Sequence, residues 1–129
     1  MNPSSRVPTR PLIAIVGPCK SGKSTLLKGL IEHGFNARQV AQEHSFVPSM
    51  WQKITNPDFL IFLQCNYENT VLRGLNWTRQ EYDTQQPRLD HAREHANFLL
   101  HTDVSSPLEI LNKVIGFLDF EARHKPLTK

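Results

Sequence analysis

Two stretches of the chain are apolar at every position, and both have the length of a strand. They are Leu12-Ile13-Ala14-Ile15-Val16 and Phe59-Leu60-Ile61-Phe62-Leu63. A strand in a parallel sheet is covered on both faces, so unbroken hydrophobicity predicts two central parallel strands. Ala37-Arg38-Gln39-Val40-Ala41-Gln42-Glu43 is much less apolar and reads as an edge strand. Asn97-Phe98-Leu99-Leu100-His101-Thr102 reads as the fourth. Between these runs the spacing is helical. Leu26, Leu27, Leu30 and Ile31 form one apolar helix face, and Gly34 is the expected stop. Residues 48–54 hold a short helix at best, followed by turn punctuation at Asn56-Pro57-Asp58. Asn66 is placed to cap a helix through Val71, Leu72 and Leu75, with a loop around Gly74-Leu75-Asn76-Trp77. Thr78-Arg79-Gln80-Glu81 and Ser106-Pro107-Leu108-Glu109 are capping boxes, the second with proline at the first helical position. Pro87 is expected to kink or restart the helix it falls in, and the charged segment 88–96 to be exposed. The last helix carries Leu111, Val114, Ile115 and Leu118 on one face.

Strands alternating with helices predict a three-layer α/β/α domain whose parallel crossovers are right-handed. The expected sheet is small, with about four strands in the order second, first, third, fourth. Residues 1–11 are polar and contain three prolines, so they read as a disordered leader without a signal-peptide core. The folded domain is expected over 12–123, with a frayed tail over 124–129.

Composition narrows the partners. The net charge of +3 arises from 15 basic and 12 acidic residues of 129. They are spread along the chain with no basic block, which argues against nucleic acid or a membrane surface. No apolar run approaches the ~20 residues of a membrane span. The two cysteines, Cys19 and Cys65, make no disulfide framework, and a reduced, cytoplasmic setting is expected.

The chemistry is concentrated between the first strand and the first helix. Gly17-Pro18-Cys19-Lys20-Ser21-Gly22-Lys23-Ser24 fits G-x-x-x-x-G-K-[ST] at every fixed position, and Thr25 follows. Glycines at 17 and 22 allow a tight bend in which successive N–H groups point at phosphate oxygens. The helix that starts inside the loop adds its free N–H groups and its dipole. Lys23 is placed to reach the β- and γ-phosphates, Ser24 to ligate Mg²⁺, and Thr25 to contact the α-phosphate. A nucleoside triphosphate is the expected ligand. No D-x-x-G or N-K-x-D motif occurs, which disfavours a GTPase. His91 and His95 share a helical spacing suited to metal, but no third ligand accompanies them, so they read as a solvent-facing pair.

Together with Pro57-Asp58-Phe59-Leu60-Ile61-Phe62-Leu63 and the stretch Leu100-His101-Thr102-Asp103 with Ser105-Ser106-Pro107-Leu108-Glu109, this loop resembles the P-loop kinases of the nucleoside and nucleotide kinase superfamily. The resemblance spans most of residues 12–120, and only the loop is specific. It implies ATP and Mg²⁺, with Arg73 and Arg79 as lid arginines that stack on adenine or stabilise the migrating phosphoryl group. It also implies that the turn at Asp103-Val104-Ser105 lies near the adenine. The chain departs from that pattern in two ways. Only residues 35–57 stand where an extra strand and an acceptor-binding segment are usual, and the acidic strand end is missing. Asp58 stands at the wrong end of its strand to replace that acid, because ligands bind beyond the carboxyl ends. Gln64 is at the right end but neutral. Glu43 is the expected substitute, ordering the Mg²⁺ water shell or acting as a base toward an acceptor hydroxyl. His44, Phe46, Met50 and Trp51 are either an acceptor pocket or packing over the sheet edge, and Trp77 is either a gate or packing.

Three functions fit these features. One is a small phosphotransferase acting on a small-molecule acceptor. Another is a nucleotide-binding module or slow ATPase with a sensory role, and the third is a scaffold with a vestigial loop. A homodimer through the helical edge is compatible with the sequence, but no residue pattern argues for it.

Overall fold

The computed structural model describes residues 11–18, 20–74 and 78–124. The two apolar runs become β1 (Leu12–Val16) and β3 (Phe59–Gln64), the central strands of a four-stranded, all-parallel sheet. β2 (Asn36–Gln39) and β4 (Phe98–His101) flank them, in the order β2-β1-β3-β4 anticipated from the sequence. Alternate residues of the central strands feed two separate cores. Ile13, Ile15, Ile61 and Leu63 pack with Leu26 and Leu30 of α1 (Lys23–Glu32) and with Ile110, Val114 and Leu118 of α5 (Pro107–His124). Ala14, Val16, Leu60 and Phe62 pack with Trp51 of α2 (Met50–Thr55) and with Leu89 and Ala92 of α4 (Arg79–His95). Helices on both faces make a three-layer mixed α/β fold, and the doubly covered strands explain why neither shows alternation. The fifth helix, α3 (Tyr67–Leu72), follows β3.

The predicted helix starts are built as expected. Glu81 N–H donates to Thr78 Oγ1 at 3.1 Å while Thr78 N–H donates to Glu81 Oε1 at 2.8 Å. Ser106 and Glu109 exchange the same pair at 2.7 and 3.1 Å. Asn66 Oδ1 accepts from Asn69 N–H at 2.9 Å and caps α3.

Several expectations need correction. The second strand ends at Gln39, and Gln42–His44 is a single 3₁₀ turn, so Glu43 does not close a strand. Pro87 does not restart the helix, since α4 runs continuously from Arg79 to His95 with the proline inside it. Buried residues on both sides of the proline (Tyr82, Gln85, Leu89 and Ala92) hold the segment against the sheet as one unit. Segment 88–96 is therefore not simply exposed. Ile31, Val71 and Leu72 point to solvent rather than into a core, because α1 and α3 each bury a narrower stripe than their apolar residues suggest. The expectations for residues 1–10, Cys19, Leu75, Asn76, Trp77 and 125–129 lie outside the described residues. No helix among the described residues is long and apolar enough to cross a membrane.

Candidate functional site

β1 hands the chain directly to the loop at Gly17, where there is no room for a side chain. A Cβ there would lie 2.4 Å from the Leu63 carbonyl oxygen and 2.8 Å from Ser21 Oγ. Gly22 has open space around it but adopts φ 106°, which side-chain-bearing residues rarely reach. One glycine is needed for closeness to β3 and the other for the backbone turn that starts α1.

The loop is fastened from the ends of neighbouring strands. Thr102, just past β4, donates from Oγ1 to the Ser21 carbonyl at 2.9 Å. Arg73, just past α3, donates from Nη1 to the Lys20 carbonyl at 2.9 Å and from Nη2 to the Thr102 carbonyl. Arg73 thus grips the loop through its backbone. Thr102 escaped the sequence reading. Its position at the carboxyl end of the fourth strand, on the loop's edge of the sheet, was the available signal.

Lys23 opens α1 and is only 8% exposed. Its Nζ donates to the Gly17 carbonyl at 2.7 Å, the Pro18 carbonyl at 3.0 Å and Glu43 Oε2 at 3.0 Å. Those three bonds use all three protons of the ammonium. Glu43 is 3% exposed, so the pair is a buried one. Gln42 positions it. Its Nε2 donates to the carbonyls of Val47 and Arg88 at 2.9 and 3.1 Å, and its Oε1 accepts from Trp51 N–H at 2.8 Å. Arg88 Nη1 then donates to the Glu43 carbonyl at 3.2 Å. The turn carrying Glu43 is therefore clamped between α2 and α4.

Lys20, Gly22, Lys23, Ser24, Thr25, Gln39, Glu43 and Arg73 line an open cavity of about 460 Å³. A second hollow of about 330 Å³ shares Gly22, Thr25 and Arg73 with it and continues to Ser105 and Pro107. Three cationic side chains face one carboxylate in the first cavity, and the N-terminus of α1 opens beside it, so its field favours anions. Ser24 Oγ accepts from Gln39 Nε2 at 3.0 Å. Ser24 and Glu43 share the cavity, but no group of three or more metal-ligating side chains occurs among the described residues. This donor set fits a hard cation carried on phosphate oxygens, with one hydroxyl and one carboxylate beside it, better than a cage built by protein alone.

Other candidates fall elsewhere. Arg79 is 61% exposed and turns to Glu68 and Asp83, at 3.3 and 3.2 Å, outside the cavity lining. Val104 is 95% exposed and absent from both linings, where Ser105 stands instead. Asp58 accepts from Leu12 N–H at 2.7 Å, at the far end of the sheet as expected. Gln64 accepts from Arg93 Nε at 3.3 Å. Trp51 is a packing residue: its Nε1 donates to His91 Nδ1 at 3.0 Å, and His91 stacks on His95 with ring centres 4.2 Å apart. His95 is exposed as expected, while His91 is half-buried through its contact with Trp51.

Burial alone would raise the Asp103 carboxyl, but bonds from Asn66 N–H at 2.8 Å and Asn69 Nδ2 at 3.1 Å hold it below the usual carboxylate range. Burial pushes the Cys65 thiol above its ordinary value, which keeps it protonated and unreactive beside the site. Comparison of the chain with protein-family models and with curated proteins gives no match in either.

Proposed function

We propose that this chain is a small cytoplasmic P-loop phosphotransferase that binds ATP with Mg²⁺ and passes the γ-phosphoryl group to a hydroxyl of a small-molecule acceptor. One observation carries the reading. An ammonium held by the carbonyls of a glycine-bent loop, at the start of a helix, lines a cavity with cationic walls. In that arrangement the α1 amides and dipole receive the polyphosphate. Lys23 exchanges its bond to Glu43 for one to a phosphate oxygen, while Arg73 adds a guanidinium to the cavity wall. When bound, Mg²⁺ would neutralise phosphate charge, ligated by Ser24 with Glu43 ordering its water shell. Released from Lys23, the Glu43 carboxylate takes the acceptor's hydroxyl proton as the new O–P bond forms and the bond to ADP breaks. Positioning and charge neutralisation supply the rate enhancement.

A second reading rests on Gln64. A neutral amide ends β3 where an acid would help hold the metal, which favours a nucleotide-binding module or slow ATPase with a regulatory role. ADP release measured with and without nucleosides, sugars and hydroxy acids separates the two. Acceptor-dependent turnover supports the phosphotransferase, ATP binding with acceptor-independent turnover supports the module, and absence of ATP binding refutes both.

A further inference from the structure

A second concave site lies beside the turn that carries Glu43 and His44. His44, Glu81, Thr84, Gln85 and Arg88 line an open pocket of about 270 Å³. His44 links the pocket to the ion pair of the loop cavity, since Glu43 Oε2 is 3.0 Å from Lys23 Nζ and 3.7 Å from His44 Nε2. The Arg88 side chain is fixed, donating to the Glu43 carbonyl at 3.2 Å and stacking 4.3 Å above the Phe46 ring. One side chain here is not satisfied by the protein. Gln85 is 4% exposed, and its Oε1 is buried with no hydrogen-bond partner among the described residues. A buried amide oxygen left without a partner is costly and uncommon, and this one belongs to a residue of the pocket wall.

We propose that this pocket binds the phosphoryl acceptor, and that the acceptor is a small neutral polyol. The inference rests on the phosphotransferase reading for the acceptor's role, but the ligand class follows from the pocket itself. Its wall offers one cation, one carboxylate, a hydroxyl, an imidazole and an amide, so donors and acceptors are mixed and the Arg88 and Glu81 charges offset. Such a wall matches hydroxyl groups, each of which both donates and accepts. A nucleotide or other polyanion would meet Glu81 with no surplus of cations. A hydroxyl held beside His44 lies near the Glu43 carboxylate, whose Oε2 is 3.7 Å from His44 Nε2.

The test uses the full chain and glycerol, ribose and inositol as neutral polyols, with AMP and glycerate as anionic controls. Binding is read by saturation-transfer NMR without nucleotide, and ADP release is read with ATP. Thr84→Trp is the blocking variant, because Thr84 is exposed and its hydroxyl bonds only within its own helix, to the Gln80 carbonyl. Gln85→Leu, which removes the unpartnered oxygen and fills the same space, is the second variant. The expected result is saturable binding of at least one polyol, weakened about tenfold or more in both variants, with ATP affinity unchanged. Preference for AMP or glycerate, no polyol binding, or polyol binding that persists in Thr84→Trp would each overturn the inference. If polyols fail while ATP binds, the inference alone falls. If polyols bind and ATP does not, the ligand class stands and the phosphotransferase reading falls.

Discussion

Removing the ammonium of Lys23 should destabilise the protein far more than deleting an ordinary lysine. Lys23 and Glu43 are 8% and 3% exposed and 3.0 Å apart, so Lys23→Met strands a carboxylate in a nearly water-free place. Breaking a buried pair from one side costs roughly 3–5 kcal/mol, a large part of the ~5–15 kcal/mol available to a domain. Glu43→Gln should cost less, about 1–3 kcal/mol, because the ammonium keeps the Gly17 and Pro18 carbonyls. In the double variant Lys23→Met/Glu43→Leu no charge is left stranded, and much of the first loss should return. Urea unfolding followed by far-UV circular dichroism measures all three and yields the coupling energy. If each single change costs under about 1 kcal/mol, or the double variant loses the sum of the two, the pair behaves as a surface one and the burial argument is wrong.

The same pair makes a binding prediction. Without Mg²⁺, Glu43→Gln should tighten ATP binding measured by calorimetry, since the phosphate no longer competes with a carboxylate for Lys23; unchanged or weaker metal-free binding would show that the pair does not restrain Lys23. Gly17→Ala should cost more than ~2 kcal/mol in a denaturation series, because its Cβ would meet the Leu63 carbonyl oxygen at 2.4 Å. Arg73→Ala should loosen the loop and lower ATP affinity by about tenfold, a charge-assisted bond to Lys20 and Thr102 being lost. Arg79→Ala should leave both stability and ATP affinity near wild type, because its partners Glu68 and Asp83 are themselves exposed. On acidification, Asp103 has a folded pKa below its unfolded value of about 3.9. Its contribution is therefore present above that value and fades as pH falls through the folded one. Asp103→Asn should lower stability at neutral pH, where the contribution is fully present, and flatten the acid limb below about pH 4.

Much of the architecture was legible because it follows from unbroken apolarity. Leu12–Val16 and Phe59–Leu63 had to be covered on both faces, and parallel pairing with helices above and below is the arrangement that does so. The loop was legible because its glycines and lysine occur in fixed register with a strand before and a helix after. The second strand was overextended for a definable reason. Val40 is buried like a strand residue, but Gln42 turns inward to satisfy carbonyls of Val47 and Arg88, the latter contributed by a distant helix. No local pattern announces that long-range contact. α4 was misread for a similar cause: its polarity hid the four residues it buries, and Pro87 was judged by propensity when tertiary packing decided the outcome. Arg73 and Thr102 come together only because the sheet order places β4 next to β3, so their joint grip on the loop waited for the fold.

The account depends most on whether the amides at the start of α1 receive a polyphosphate. Two-dimensional ¹H–¹⁵N NMR of the labelled chain, titrated with Mg²⁺-ATP, measures this directly. The account predicts saturable shifts that are largest at the amides of Gly22, Lys23, Ser24 and Thr25, with smaller ones at the Arg73 side chain and Glu43. No saturable shift there, or shifts concentrated at the opposite end of the sheet near Asn36 and Asp58, would contradict it.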